Sequence, residues 1–302
     1  MKLGFALPVS GSWANPENCV RIARLAEERG YSSLWTFQRL LSPLEGDAPA
    51  LPPPYHRVHD PLAILAFVAG HTTAARLGVA VVNVPYYAPI VLAKMLTTID
   101  HLSGGRLDAG LGIGWLPPEL ASVGAPAGRR GVRADDFIRC LKAIWTEEVV
   151  EYEGAFYRVP RSRVEPKPVQ EPHPPLLLGG AADPALRRAG RIADGWISSS
   201  RADLSRIGES IAIVRAAALR AGRDPEALRF VCRGVVKVRT GERAPLVGSI
   251  DDIHADLAQL ASQGVTETFF DLNFDPEIGS PDADPAAAAG RAEEVLDALA
   301  PA

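Results

Sequence analysis

Two spacings of apolar residues alternate along the chain. Short apolar runs at Lys2–Leu7, Ser33–Phe37, Arg76–Val82, Arg106–Leu111, Leu176–Leu178, Gly195–Ser199, Phe230–Val238 and Thr268–Asn273 read as strands. Between them apolar residues return every three or four positions, as on a helix with one buried face. Pro16 to Gly30 is the first such stretch, with Val20, Ile22, Ala23, Leu25 and Ala26 on one side and Gly30 as its stop. Asn15 is placed to cap it and Pro16 to occupy its first turn. The same spacing predicts helices over 61–73, 89–102, 135–147, 183–193, 204–221, 251–262 and 285–299. Phe137, Ile138, Leu141, Ile144 and Trp145 form one helical face, and Val149–Val159 reads as a small hairpin around Gly154.

Continuous apolar strands joined by helical crossovers predict a parallel sheet covered on both faces. Eight such units in 302 residues predict a single-domain α/β fold, a TIM (β/α)8 barrel spanning 1–302. A doubly wound open sheet is the alternative. Gln38 to Asp60 contains five prolines (Pro43, Pro49, Pro52, Pro53, Pro54) and is long for a connection. It is expected to act as an active-site loop after the second strand.

Composition narrows the function classes. The chain is 47% hydrophobic and 23% charged with net charge −4, an ordinary globular balance. A pI near 5.9 argues against a nucleic-acid partner. No apolar run approaches the roughly 20 residues of a membrane span. Cys19, Cys140 and Cys232 are odd in number and far apart, which favours reduced thiols in a cytoplasmic protein. The N-terminus runs straight into a strand pattern without the architecture of a signal peptide.

In a barrel, chemistry belongs at the C-terminal ends of the strands. Gly110 lies within the fourth strand and Gly112 and Gly114 follow it, with Trp115 at its lip. Either a flat ring approaches there, or the glycines make a tight barrel corner around a core tryptophan. Gly179, Gly180, Ala181 and Ala182 pass from the fifth strand into a helix. Their backbone N–H groups form an anion cradle, or the segment is a plain strand-to-helix turn. Asp183 is placed as N-cap, and Arg187, Arg188 and Arg191 follow as a source of positive charge. His56-x-x-His59 lacks the helical frame and third ligand of a zinc motif, so no metal site is expected. His101 sits at a helix end, where a cation is favoured.

Several segments together resemble the luciferase-like monooxygenase superfamily, and more narrowly its F420-dependent (deazaflavin) oxidoreductase branch. They are AEERGYSSLW (26–35), TAARLGV (73–79), PIVLAK (89–94), TIDHLSGGRL (98–107), GLGIGW (110–115), PPLLLGG (174–180) and ADGW (193–196). The resemblance runs nearly end to end and implies a TIM barrel. It implies a bulge at Ala80-Val81, often with a non-prolyl cis peptide, against the back of a cofactor ring. Asn83 matches a ring- or ribityl-bonding position, and Gly112, Gly114 and Trp115 match a wall. Gly179, Gly180, Ala181 and Ala182 match the cofactor phosphate cradle.

The resemblance therefore implies hydride transfer between coenzyme F420 and an organic substrate, in a homodimer. Phe37, Trp13, Tyr86, Tyr87 and Trp115 would give the mouth an apolar, aromatic character. Many deazaflavin members carry Asp-His after the second strand, where this chain has Phe37 and Gln38. Gln38 forms hydrogen bonds but exchanges no proton near pH 7. Candidate catalytic residues are thus Gln38, Arg39, His56 and His59. Arg39 either polarises a substrate carbonyl or is a salt-bridged rim residue, and the two histidines either donate a proton or are solvated loop residues. An FMN-dependent monooxygenase using reduced flavin and oxygen is the alternative activity. A non-catalytic cofactor-binding homologue is the third reading.

Overall fold

A computed structural model describes residues 1–44, 50–126 and 128–301. Eight parallel strands form the barrel: β1 (Lys2–Ala6), β2 (Ser33–Thr36), β3 (Arg76–Val79), β4 (Leu107–Gly112), β5 (Leu176–Gly179), β6 (Gly195–Ile197), β7 (Arg229–Val235) and β8 (Glu267–Asp271). Each pairs with its successor, and β8 returns to β1, with Phe5 opposite Phe270. The β3–β4 pair, with Gly78 opposite Asp108, excludes the open-sheet alternative.

The outer layer is α1 (Pro16–Glu28), α2 (Pro61–Ala69), α3 (Pro89–Leu102), α4 (Pro117–Ser122), α5 (Arg130–Thr146), α6 (Asp183–Ile192), α7 (Ile207–Arg220), α8 (Ile250–Ser262), α9 (Pro276–Gly279) and α10 (Pro285–Ala298). The Asn15 side chain accepts from the Asn18 N–H, as expected of a cap. Ser249 and Asp252 form a capping box at α8. The hairpin is present, pairing 150–153 with 158–162.

Several elements differ from the sequence expectation: α4 and α9 have no counterpart in it, and α2, expected over 61–73, ends at Ala69. The strand expected over 76–82 stops at Val79, and Val82–Asn83 re-pairs with β4 after a bulge at Ala80–Val81. The strand expected over 230–238 leaves the barrel after Val235, and Lys237–Val238 pairs instead with Val247–Gly248. Helix α5 begins at Arg130, five residues before Asp135, so that Arg130, Gly131, Val132 and Arg133 form its first turn.

The barrel interior is layered. At the N-terminal ends of the strands lies a charged floor, in which Asp108 accepts from Arg76 (2.6 Å) and Arg229 (2.7 Å). Arg229 also reaches Glu267, which accepts from Ser33 at 2.6 Å. Burial alone would raise the Asp108 carboxyl, but the Arg229 and Arg76 guanidiniums outweigh it and hold it below the usual carboxylate range. Above the floor Trp35 stacks on Phe269, ring centroids 5.0 Å apart, among Ala6, Leu177, Ile197 and Val231. This apolar plug closes the barrel from below, and the space above it is the mouth.

Candidate active site

A cavity of about 280 Å³ opens at the C-terminal ends of the strands. Its floor is the Ala80–Val81 bulge, whose peptide bond is cis, as the resemblance implied. The strand-4 glycines fit this bulge. A Cβ on Gly110 would run into the Val79 carbonyl, and one on Gly112 would lie 2.5 Å from Val81 Cγ2. What approaches the backbone at these two glycines is the neighbouring segment Val79–Val81, and Gly112, Ala80 and Val81 all line the cavity.

The expected residues Gln38, Arg39, Ala80, Val81, Asn83, Gly112, Gly114, Trp115, Gly179, Gly180, Ala181 and Ala182 all line this cavity. His56 and His59 do not. The His56 ring bonds the Leu51 carbonyl (2.8 Å) and the His59 ring the Ala14 carbonyl (3.0 Å). Residues 50–60 of the loop lie on the β1 side, tied by the Ser10–Val58 bridge, and hold both imidazoles away from the mouth, whereas 45–49 lie outside the described residues. Trp13 is a core residue instead of a mouth residue.

Gln38 is held at both ends. Its Oε1 accepts from the Asn83 N–H at 2.8 Å, and its Nε2 donates to the Tyr87 hydroxyl at 2.7 Å. Asn83 passes the contact on, its Oδ1 accepting from the Gly114 N–H at 2.9 Å. Burial pushes the Tyr87 phenol up, so it remains protonated. This chain of contacts aligns the ends of β2, β3 and β4 and fixes the Gln38 carboxamide, one Nε2–H and one Oε1 lone pair of which remain unused.

Arg39 is ion-paired and still faces the mouth. Its Nη1 lies 2.6 Å from Glu119, both side chains being buried. The guanidinium stacks between Tyr55 (4.6 Å) and Trp115 (5.1 Å). Glu119 also accepts from the Leu40 N–H and the Tyr86 hydroxyl, and so ties α4 to the segment after β2. Burial first, and then the Glu119 carboxylate, keep the Tyr86 phenol protonated.

The turn after β5 has the form of an anion cradle. Gly180 has φ +130°, and its carbonyl is fixed by the Trp196 indole at 2.8 Å. The N–H groups of Ala181 and Ala182 have no acceptor among the described residues. Ala182, not Asp183, is the N-cap of α6. Asp183 is the first helical residue and pairs with Arg187. Arg188 and Arg191 are both bound to Asp135. Two carboxylates thus offset two of the three arginine charges, and the free N–H groups at the helix end supply the direct attraction for an anion.

One functional candidate was missed by the sequence reading, which passed over the end of β7. Arg233 is buried, with Nε 2.7 Å from Asp271 and Nη1 donating to the Ala80 carbonyl at 3.1 Å. Its guanidinium carbon lies 4.6 Å from the Phe37 ring and 4.7 Å from the Phe274 ring, two rings that also touch each other with centroids 5.3 Å apart. Its Nη2 has no partner among the described residues, although the side chain lines the cavity. Arg233 and Lys237 are charges within the Val-rich run Phe230–Val238, and that was the available signal. Glu119 was missed as well, on α4, a segment with no element assigned from the sequence. Among the described residues no carboxylate or imidazole lines the cavity.

The luciferase-like monooxygenase family model matches residues 2–267. The Mycobacterium tuberculosis protein Rv0953c is 33% identical over 259 residues, 83% of this chain and 85% of that one. An FMNH(2)-dependent dimethylsulfone monooxygenase of Pseudomonas putida is 29% identical over 182 residues, 59% of this chain and 47% of that one. In structure, the coenzyme F420-dependent tetrahydromethanopterin reductase of Methanopyrus kandleri superposes with a TM-score of 0.75 at 16% identity. That superposition covers 99% of this chain and 98% of the reductase.

Proposed function

Since the chain belongs to the luciferase-like monooxygenase family, we propose that it is an oxidoreductase that binds coenzyme F420 and transfers a hydride between the deazaflavin and an organic substrate. One observation carries the reading. A flat apolar floor, made by Val81 between Gly112 and Gly179, and a pair of free N–H groups, on Ala181 and Ala182, converge on the same cavity. These match the two ends of a ring-plus-phosphate cofactor. The ring would rest on Val81, and the phosphate would take the Gly180–Ala182 turn. When bound, the cofactor supplies the hydride chemistry.

The chain's own residues then orient and polarise. Arg233 lines the cavity, and its buried Nη2, without an acceptor among the described residues, is suited to an oxygen that gains negative charge. Arg39, fixed by Glu119, forms the opposite rim. Phe37, Tyr55 and Trp115 give the substrate apolar contact. His56 and His59 lie outside the cavity and take no part in this scheme.

An FMN-dependent monooxygenase is the second reading. It is favoured by the absence of a carboxylate or imidazole from the cavity lining among the described residues. Reduction of a carbonyl calls for a proton donor, whereas reaction of reduced flavin with oxygen places less demand on one. Parallel titrations with F420 and FMN, followed by cofactor fluorescence, separate the readings. Tight F420 binding with weak FMN binding supports the first, and the reverse supports the second. If neither binds below about 100 μM, roughly −5.5 kcal/mol, both are wrong, including the non-catalytic cofactor-binding reading.

A further inference from the structure

A second chamber of about 270 Å³ lies beside the first, between the segments that follow β6 and β7. Ser200 and Arg233 line both, so the two spaces meet at Arg233. Arg233, Val235 and Lys237 line the second chamber at alternate positions of one extended segment. Alternate residues of an extended chain share a face. That face therefore reads cation, apolar, cation, with Leu204 and Val247 opposite.

The two cations differ in what they lack. Arg233 is neutralised by Asp271 and is short of one acceptor, for Nη2 alone. Such a donor suits a neutral oxygen. Nearby Arg239 and Arg243 are paired with Asp275 and Asp256, whereas Lys237 has no carboxylate partner among the described residues. Lys237 therefore suits an anion. Asp203, the acidic residue of the lining, is exposed and already accepts from the Ser205 N–H and hydroxyl. Four residues of extended chain span at most about 13 Å.

We propose that the substrate site is two-chambered and takes an apolar carboxylic acid bearing a carbonyl or hydroxyl oxygen at its far end. The oxygen meets Arg233, the apolar body lies along Val235, and the carboxylate meets Lys237. This rests on the reading of the first cavity as the reaction site, but its test does not require turnover.

The probes are 7-oxooctanoate, octanoate and octan-2-one, titrated calorimetrically into the protein with and without saturating F420. The oxo-acid is expected to bind at least tenfold tighter than octan-2-one and at least threefold tighter than octanoate. Lys237→Met removes the preference over the ketone, and Lys237→Arg restores most of it. F420 affinity is unchanged in both variants. The proposal is overturned if the oxo-acid shows no binding below 5 mM, or if the preference persists in Lys237→Met. It is also overturned if Lys237→Met weakens F420 more than fivefold, which would assign the chamber to the cofactor. Failure of the cofactor titration with the carboxylate preference intact would instead remove the F420 reading and leave the chamber assigned.

Discussion

Replacing Gln38 by Leu would strand two buried groups at once, the Asn83 N–H and the Tyr87 hydroxyl. An unsatisfied buried donor costs about 1–3 kcal/mol. The variant is expected to lose stability in that range in a denaturant titration and to bind cofactor less tightly, because Asn83 and Gly114 lose their alignment. If Gln38 instead acted on substrate, cofactor affinity would hold while turnover fell. Arg39 and Asn83 could be found in the chain because a known pattern surrounds them. Arg233 could have been found as a charge in an apolar strand. The positions of His56 and His59 could not, since they depend on how the loop packs against residues after β1.

At the scale of elements, the fit between the β3 bulge and the β4 glycines decides the shape of the floor. A methyl group on Gly112 meets Val81 and, at 2.9 Å, Asn83 Oδ1. Gly112→Ala is expected to cost about 1–3 kcal/mol by overpacking and to weaken cofactor binding, as read by thermal melting and fluorescence titration. Wild-type affinity in this variant would show that the bulge does not hold the ring. The strands themselves were legible because both faces of each are buried, which leaves continuous apolar runs. The break at Ala80–Val81 was legible only through the family resemblance and the one at Val236 not at all, because neither carries a glycine, a proline or a charge. They arise from pairing with distant segments, β4 and Val247–Gly248.

For the whole molecule, barrel closure places a charged floor beneath an apolar plug. The folded-state pKa of Asp108 lies below its unfolded value of about 3.9. Its contribution is thus fully present above about pH 4 and is lost as pH falls through the folded value. Asp108→Asn is expected to be less stable by about 3–5 kcal/mol near neutrality. That gap should stay constant between pH 7 and pH 5 and narrow below about pH 4 in denaturant titrations. A gap independent of pH would mean the carboxylate's charge is not what matters. On the outside, α2 and α3 leave Phe67, Ile90 and Val91 exposed on neighbouring helices. We expect a homodimer through this face, so light scattering should give twice the 32.2 kDa chain mass. Ile90→Asp should return the protein to monomer, and a wild-type monomer at micromolar concentration would reject the interface.

Trp115 stands apart from the other tryptophans in a way that makes the mouth observable. Trp13, Trp35, Trp145 and Trp196 are 0–3% exposed, whereas Trp115 is 50% exposed, with the Arg39 and Arg201 guanidiniums within 5.3 Å of its ring. Its emission should lie at longer wavelength than that of the others, and a neutral quencher such as acrylamide should reach it first. The protein thus carries an intrinsic optical probe at its entrance. Occupancy can be followed without label or turnover, as the quenchable fraction of emission disappears when a ligand covers the indole.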